Sequence, residues 1–258
     1  MSLPLNDTTS ALKPLKWYKS LATRDGRIEA GAFLVEGERA IGQIASYCPG
    51  HILEIVTTGA PSSLCPGVPC RTITERQMDS ISSTRTPQGI IAVVRLPAGT
   101  YSDCLPDSVG GRILLLEDVQ DPGNVGTLIR TAAAFDFSGV ILSENCADPM
   151  SPKCIQATAG AVLSAWIRRT ARYLELVEEL QRREYCLVAT DLDGVEDPSV
   201  LEGRKRLLLA LGNEGSGLSK PLLDVADHRL RIATAGRKAE SLNVAACGAV
   251  CMYLSRQE

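Results

Sequence analysis

Aromatic residues are scarce in this 258-residue chain, at 4% of the sequence, although hydrophobic residues together make up 45%. The core must therefore consist mainly of leucine, valine, isoleucine and alanine. The length suits one large or two modest globular domains. Neither sign of charge is in large excess, because 27 Lys and Arg face 30 Asp and Glu, which leaves a net charge of −3. The overall charge gives no reason to expect a polyanionic partner along the whole chain.

Metal-binding patterns are also lacking. Only two histidines occur, His51 and His228, and no C-x-x-C pair exists among the nine cysteines. We expect no metal site, with zinc at the loop pair Cys65 and Cys70 as the weaker alternative. The odd cysteine count and the chain length argue against a disulfide framework. The thiols are therefore expected to act as small core residues in a reducing compartment.

Long apolar runs are missing too. No stretch reaches the roughly 18 apolar residues that a membrane-spanning helix requires. The first thirty residues lack the charged and apolar regions of a secretory signal. We therefore expect a cytoplasmic protein with no membrane partner. The glycine-rich segment 212–217 has neither the Gly-Lys-Ser/Thr of a P-loop nor the G-x-G-x-x-G spacing of a dinucleotide site, which disfavours a nucleotide-dependent α/β enzyme.

The order of apolar and polar stretches predicts two α/β units. Residues 1–10 are expected to be a disordered lead, 11–96 a small α/β domain, 97–111 a linker and 112–258 a second domain. The continuous apolar runs 113–116 and 207–211 are typical of strands buried in a parallel sheet, and helices are expected between such strands. Residues 1–98 carry a net charge of +2 and the remainder −5, so the first unit is compatible with RNA binding.

Three polar segments stand at the junctions between strands and helices of the second unit. They are 121–126 with Arg130 behind it, 212–218, and 240–245. Open α/β sheets bind ligands at such junctions. Each segment has a simpler explanation when taken alone. Asn124 could cap the helix after the first strand, and either Ser241 or Asn243 could cap the last helix. Arg130 could be a surface residue. The segment 212–218 could be a glycine-rich turn. Likewise, Arg237 and Lys238 could contact phosphate or simply be solvated.

Together the segments resemble the three signature motifs of the SpoU (TrmH) family of RNA ribose 2′-O-methyltransferases, in the SPOUT superfamily. Asn124 is followed six residues later by Arg130, Gly-Asn-Glu-Gly-Ser-Gly-Leu spans 212–218, and Ser-Leu-Asn-Val begins at Ser241. The resemblance covers about residues 112–256. It implies a mainly parallel α/β sheet with a C-terminal trefoil knot, S-adenosylmethionine as cofactor, and a homodimer.

The resemblance also implies roles for particular residues. The family assigns removal of the ribose proton to the arginine of the first motif, here Arg130. Because a guanidinium is a very poor base, an electrostatic clamp on phosphate and the developing alkoxide is the alternative role. Asn124, Glu214, Ser241 and Asn243 would orient the reacting groups. The cofactor pocket would be formed, largely through backbone groups, by Ala189, Thr190, Leu211, Gly212, Ile232 and Leu242.

The first unit resembles the ribosomal-protein-L30e-like substrate-binding domain that is often fused to this family. The similarity rests on Phe-Leu-Val-Glu-Gly at 33–37 and Thr-Pro-Gln-Gly-Ile at 86–90. RNA is therefore the expected partner, ribosomal RNA more so than tRNA, and a non-catalytic RNA-binding or assembly protein is the alternative from another class. Trp17 and Tyr18 are candidates for base stacking. The candidate RNA-binding cations are Lys13, Lys16, Lys19, Arg24, Arg27, Arg39 and Arg85.

Overall fold

The computed structural model describes residues 13–60, 64–234 and 242–256. The N-terminal unit, residues 13–95, contains a four-stranded mixed sheet in the order β1-β4-β2-β3. Strand β4 is antiparallel to β1 and β2, and β3 is parallel to β2. Its elements are α1 (Leu15–Ser20), α2 (Arg24–Ala30), β1 (Ala32–Glu36), α3 (Glu38–Tyr47), β2 (Ile52–Thr57), β3 (Cys70–Thr72), α4 (Glu75–Ile81) and β4 (Ile90–Arg95).

The C-terminal unit contains a six-stranded sheet in the order β10-β8-β9-β5-β6-β7, and every strand pair in it is parallel. The expected parallel α/β architecture is therefore confirmed. Its elements are β5 (Arg112–Leu116), α5 (Pro122–Ala134), β6 (Gly139–Ser143), α6 (Pro152–Thr158), β7 (Trp166–Thr170), α7 (Tyr173–Arg182), β8 (Cys186–Val195), β9 (Leu207–Leu211), α8 (Lys220–Val225), β10 (His228–Leu230) and α9 (Val244–Leu254).

The two apolar runs that predicted central strands lie side by side as β5 and β9, and all ten of their residues are buried. Helix α4 begins with a capping box. Thr74 accepts a hydrogen bond from the Gln77 backbone, and the Gln77 side chain accepts one from the Thr74 backbone. The predicted lead at 1–10 lies outside the described residues.

The two units share a continuous apolar core. Ile41 and Ile44 of α3 belong to the same buried cluster as Leu128 of α5 and Ile155 of α6. The Tyr47 hydroxyl donates to the Gly160 carbonyl oxygen at 2.5 Å, which adds a polar contact across the same junction. The contacts of α6 with β1, and of α3 with the turn Ala161–Leu163 that follows α6, therefore fix the N-terminal unit beside the helix pair α5 and α6.

Residues 97–111 run along the edge strand β7. The Thr100 carbonyl accepts from the Arg169 backbone at 2.8 Å, and Thr170 Oγ1 donates to Asp103 at 2.6 Å. Arg168, largely buried, donates through Nε to the Cys104 carbonyl at 2.9 Å. This segment therefore covers the edge of the sheet and provides hydrogen-bond partners for the side chains of Arg168 and Thr170 in β7.

Candidate active site

The carboxyl ends of β5 and β9 bring the first and second polar segments together. Leu116 pairs with Leu211, and the Glu117 backbone then donates to the Leu211 carbonyl at 2.9 Å. Asn213 Nδ2 donates to the Asp118 carbonyl at 2.9 Å. The loops that follow the two strands are thus joined immediately beyond the sheet, where ligands bind in open α/β folds.

Asp121, and not Asn124, caps helix α5. Its carboxylate accepts from the backbones of Gly123 at 2.6 Å and Asn124 at 3.1 Å, and Pro122 occupies the first helical position. The alternative that Asn124 serves as the helix cap is therefore wrong. The Asp-Pro pair in the sequence was the signal for this cap. Because Asp121 accepts the hydrogen bonds from the first backbone N–H groups of α5, the Asn124 side chain is available for other contacts.

Asn124 joins the three polar segments in a cluster that we call the cleft network, consisting of Asn124, Glu214 and Asn243. Asn124 Nδ2 donates to Glu214 Oε1 at 2.9 Å, and Asn124 Oδ1 accepts from Asn243 Nδ2 at 3.1 Å. Both polar ends of one amide are thus engaged, which fixes its orientation. Residues separated by about 90 and 120 positions in the chain therefore meet at one point.

Glu214 is held as a carboxylate in this network. Burial alone would raise its pKa, but hydrogen bonds from the Asn124 side chain and from the backbones of Gln120 and Asp121 lower the pKa below its usual value. The two backbone contacts are 3.4 Å long. A negative charge is thus fixed at the start of the cleft, beside the first turn of α5.

The turn that carries Glu214 depends on its glycines. A side chain on Gly212 would approach the Gly217 backbone carbon to 2.3 Å, and Gly217 has φ +70°. Asn213 and Gly217 exchange two backbone hydrogen bonds of 3.0 Å, and Asn213 Oδ1 accepts from the Gly215 and Ser216 backbones. These contacts close the turn on itself and project Glu214 toward Asn124.

Asn243 both caps α9 and reaches the cleft network. Its Oδ1 accepts from the Ala245 backbone at 2.9 Å and the Ala246 backbone at 3.3 Å, so the predicted cap is confirmed. Its Nδ2 remains free to donate to Asn124. Ser241 and the cations Arg237 and Lys238 lie outside the described residues.

Arg130 does not join the cleft network in a single chain. It is exposed on α5, and within the described ranges no hydrogen bond or ion pair to it is found. Six residues of α-helix separate it from Asn124, which corresponds to about 9 Å along the axis and a different face. The structure therefore brings Asn124, Glu214 and Asn243 together and leaves the Arg130 guanidinium at the surface.

The residues expected to hold the cofactor lie in the middle of β8, at the carboxyl end of β9, just after β10 and just before α9. Ala189 pairs with Ala210 and with Arg229, so the three strands are adjacent at this level of the sheet. Thr190 Oγ1 donates to the Ala210 carbonyl at 3.0 Å. Ala189, Leu211 and Gly212 are buried, Thr190 and Ile232 are half-buried, and Leu242 is 40% exposed.

Two exposed apolar residues at this edge escaped the sequence analysis. Leu192 is 63% and Val195 70% exposed on the last part of β8. The signal in the sequence was the alternation Asp-Leu-Asp at 191–193, and β8 continues to Val195. Exposed large apolar side chains beside the candidate cofactor residues provide surface that an apolar part of a ligand can cover.

Two of the predicted RNA contacts are wrong. Arg27 is only 2% exposed and pairs with Asp148 at 2.6 Å, and Tyr18 is 1% exposed. The Tyr18 hydroxyl bonds to Glu54 and Arg71, and burial raises its pKa to about 12. Neither side chain can contact RNA. The other candidates Lys13, Lys16, Lys19, Arg24, Arg39 and Arg85 are exposed.

Arg24 and Lys13 lie over aromatic rings. The Arg24 guanidinium is 4.6 Å from the Tyr101 ring centroid, and Lys13 Nζ is 5.6 Å from that of Trp17. Trp17 is half-buried.

Neither a metal cluster nor a membrane-crossing helix is present in the described part of the chain. No group of three or more His, Cys, Asp or Glu there could hold a metal ion. No helix within the same ranges is long and apolar enough to cross a bilayer. All nine cysteines are free thiols.

Comparison with known proteins relates both units to RNA methyltransferases. Residues 111–253 match the SpoU rRNA Methylase family, and residues 13–92 match the MRM3-like substrate binding domain. The chain is 32% identical over 242 residues to the 23S rRNA (guanosine(2553)-2′-O)-methyltransferase RlmP of Bacillus subtilis, covering 93% of this chain and 94% of that protein.

Solved structures give the same relationship. A TrmH-family RNA methyltransferase from Porphyromonas gingivalis has a TM-score of 0.79 at 31% identity and covers 96% of this chain and 99% of its own. The SpoU methyltransferase AviRb from Streptomyces viridochromogenes, in complex with S-adenosylmethionine, has a TM-score of 0.80 at 25% identity, over 93% and 96% of the two chains. The chain therefore belongs to the SpoU rRNA methylase family.

Proposed function

We propose that this protein transfers the methyl group of S-adenosylmethionine to a ribose 2′-hydroxyl of ribosomal RNA. The observation that carries the proposal is the cleft network, in which Asn124, Glu214 and Asn243 from three distant motifs meet at the carboxyl edge of the parallel sheet. The B. subtilis relative, named as a 23S rRNA 2′-O-methyltransferase, matches over 93% of the chain and so favours ribosomal RNA over tRNA.

The middle of β8 and the segments that end or follow β9 and β10 suit this cofactor. No charged side chain is among the six proposed cofactor residues. Half-buried Ile232 and 40%-exposed Leu242 offer apolar surface of the kind that adenine requires. Backbone groups at Thr190 and Gly212 can supply polar contacts. When bound, S-adenosylmethionine supplies a methyl group activated on a sulfonium. The residues proposed to hold it are Ala189, Thr190, Leu211, Gly212, Ile232 and Leu242.

In the proposed reaction, Arg130 acts as an electrostatic clamp. A ribose hydroxyl is a poor nucleophile until its proton leaves, so charge that develops on its oxygen must be stabilised. A guanidinium is almost never deprotonated, so it suits this role better than that of a base. Arg130 is exposed, and no carboxylate within the described ranges neutralises it. Its positive charge is therefore available to RNA phosphate and to the ribose oxygen.

The cleft network would position the substrate. The Asn124 amide is fixed by Glu214 on one side and by Asn243 on the other. Ser241 follows the family motif and is proposed to act beside Asn243. Holding the ribose and the cofactor in line supplies much of the rate enhancement in a reaction of this kind.

We propose that the protein works as a homodimer through α9. This helix is apolar on all sides, and Val250 and Tyr253 are 39% and 51% exposed. A helix of this kind normally lies within a core or an interface. The Tyr253 ring lies 6.2 Å from that of Phe135, at the end of α5. A two-fold contact on this face would place Arg130 of one protomer near the cleft of its partner.

Three further parts of the proposal follow from family membership. The protein would have a C-terminal trefoil knot, residues 11–96 would form the substrate-binding domain and 112–258 the methyltransferase domain, and the protein would act in the cytoplasm. The exposed cations Lys13, Lys16, Lys19, Arg24, Arg39 and Arg85 would then provide the local positive surface that an acidic chain needs for RNA.

Two measurements test the function. Calorimetry with S-adenosylmethionine should show binding, and tritium from the labelled methyl group should enter total RNA from cells that lack the protein. Cofactor binding with no transfer to any RNA would contradict the methyltransferase proposal and favour a non-catalytic RNA-binding protein. Ribose methylation maps of RNA from cells with and without the protein would then identify the target nucleotide.

A further inference from the structure

A cavity of about 280 Å³ lies between the N-terminal and C-terminal units, and no residue of the cleft network lines it. Leu21, Ala22 and Ser82 line it from one unit, and Met150, Pro152 and Ile155 from the other. Its volume is close to the lower limit of about 300 Å³ for small-ligand sites, which suits a single planar group.

One wall of the cavity is held by a buried ion pair between the two units. Arg27 Nη1 donates to the carbonyls of Leu21 and Ala22, both at 2.9 Å, and Arg27 Nη2 contacts Asp148 at 2.6 Å. Asp148 Oδ1 in turn accepts from the Met150 backbone at 2.9 Å. Because Leu21, Ala22 and Met150 all line the cavity, this ion pair fixes residues of both units around it. The cavity is therefore preformed.

The polar wall is organised by Glu36. Its carboxylate accepts from Ser82 Oγ at 2.6 Å, Ser83 Oγ at 2.6 Å and Thr84 Oγ1 at 3.2 Å. Ser80 Oγ donates to the Gln77 carbonyl at 2.7 Å. A hydroxyl whose proton is already committed can offer only its lone pairs. This wall therefore accepts hydrogen bonds from a ligand, and the negative charge behind it disfavours phosphate.

The cavity is also lined by the apolar residues Met150, Pro152 and Ile155 and by Lys19. Lys19 is exposed, and no ion pair to it is found among the described residues. A nucleobase matches all three features, since its faces are apolar, its amino group donates hydrogen bonds, and its phosphate can stay outside near a lysine.

The cavity is also close to the cleft network. Pro152 and Gln156 of α6 line it, whereas Lys153 of the same helix contacts Asp121, the cap of α5, at 3.2 Å. The first turn of α6 thus separates the cavity from the start of the cleft, and a helix is about 10 Å across. One RNA strand can contact both places.

We propose that this cavity binds an unpaired nucleobase with an exocyclic amino group, supplied by the RNA substrate a few nucleotides from the methylated ribose. The proposal rests on the proposed function for the identity of the ligand. It assigns to the junction of the two units a specificity site that is distinct from the cofactor pocket.

Tryptophan substitutions that close the cavity test the proposal. Ser80→Trp enters from the N-terminal unit and Gln156→Trp from the C-terminal unit, and both positions are exposed. Asp79→Trp is the matched control, because Asp79 is an exposed neighbour of Ser80 on α4 that does not line the cavity. Both closing variants should raise the KM for RNA about tenfold, the loss expected for one base contact. The Kd for S-adenosylmethionine and the melting temperature should match those of the control.

Ultraviolet cross-linking gives a second measurement that does not depend on activity. Total RNA from cells lacking the protein is cross-linked to the wild-type chain, and the modified peptides are identified by mass spectrometry. Adenine, guanine or cytosine adducts are expected on peptides containing residues 19–22, 80–84 or 150–156, and should be lost in both closing variants but retained in Asp79→Trp.

The outcomes separate this proposal from the proposed function. Unchanged KM together with unchanged cross-links in folded closing variants would overturn the cavity proposal while methyl transfer continues. Cross-links to uracil alone would overturn the amino-group requirement. If the wild-type chain transfers no methyl group to RNA, the proposed function fails, and cross-linking still decides whether the cavity binds a base.

Discussion

Arg27 and Arg130 are both helical arginines with predicted functional roles, RNA binding for Arg27 and catalysis for Arg130, and the structure gives them opposite environments. Arg27 is 2% exposed and donates to Leu21, Ala22 and Asp148. Arg130 is exposed, with no partner found within the described ranges. An arginine that is buried against an acidic partner and backbone carbonyls contributes to structure, whereas one without a partner keeps its charge for a ligand. The available partners, and not the residue type, decide which role applies.

The junction of the two units and the candidate active site also differ in their hydrogen bonds. The Arg27 network at the junction of the units has polar contacts of 2.6 to 2.9 Å to Asp148, whereas the cleft network has contacts of 2.9 to 3.4 Å at exposed atoms. Short buried contacts are expected to govern stability. Longer exposed ones leave groups that can reorganise around a substrate, so substitutions there should affect turnover more than folding.

The largest effect is expected from Arg130→Ala. Loss of the clamp should abolish detectable methyl transfer, a decrease of at least about 100-fold, because charge on the ribose oxygen is no longer stabilised. The Kd for S-adenosylmethionine should stay within a few-fold of the wild-type value. Tritium transfer and calorimetry measure the two quantities. Near-normal turnover would refute the assignment of Arg130.

Mixing two inactive variants tests whether the site is shared across a dimer. Arg130→Ala and Asn124→Ala carry their defects on different parts of α5. If Arg130 serves the partner's cleft, a refolded equimolar mixture should recover about one quarter of wild-type activity through heterodimers with one intact site. An inactive mixture that contains heterodimers would place Arg130 and the cleft network of one protomer in the same site.

The second effect concerns the junction of the units. Asp148→Asn leaves the Arg27 charge buried without a counter-ion and should destabilise the protein by about 3 kcal/mol. For a chain of this size, that corresponds to a fall in Tm of about 8 °C. Asp136→Asn is the control, because its carboxylate is fully exposed at 3.6 Å from Arg112 and should leave Tm unchanged. Equal Tm values for the two variants would contradict the difference drawn between buried and exposed pairs.

Local patterns were sufficient for some parts of the fold and not for others. The uninterrupted apolar runs of β5 and β9 identified the centre of the parallel sheet. Strand β7 was missed because Arg168 and Arg169 interrupt its apolar pattern. Arg168 is nevertheless largely buried, since the Cys104 carbonyl accepts from it. Arg27 was misjudged for the same reason, as its partner Asp148 lies 121 residues away. A local pattern does not contain such long-range partners.

The candidate site shows the same limit. The motifs identify which loops converge, but they leave open whether Asn124 caps α5, and the structure shows that Asp121 provides this cap. The contact between Asn124 and Asn243 joins residues 119 positions apart, and spacing alone could not predict it. Family resemblance supplied the association of the motifs, and the sheet topology explains it, since β5 and β9 are neighbours.

The third-largest effect is expected at Asn243, where substitutions can separate its helix-capping role from its contact with Asn124. Asn243→Ala removes both the helix cap and the contact to Asn124, so stability should fall by about 1 kcal/mol and turnover should also decrease. Asn243→Asp keeps the cap acceptor but cannot donate to Asn124. Its Tm should therefore return to the wild-type value while methyl transfer stays impaired. Recovery of both properties would show that capping is the whole function of Asn243.

The smallest effect is the acid response of Glu214. Hydrogen bonds lower the pKa of Glu214 in the folded protein, although burial opposes this shift. The carboxylate therefore contributes its full stabilisation above the unfolded pKa of about 4.3. That stabilisation is lost as the pH falls through the folded pKa. Glu214→Gln should therefore flatten the decrease in Tm between pH 5 and pH 3.

The control for this prediction is Asp197→Asn. Hydrogen bonds from Ser199 lower the pKa of Asp197, which lies outside the cleft network, so this substitution should flatten the same decrease in Tm. Only Glu214→Gln should also reduce methyl transfer at pH 7, because only there does the carboxylate orient Asn124. Equal transfer rates for the two variants would mean that the charge of Glu214 stabilises the turn without serving the reaction.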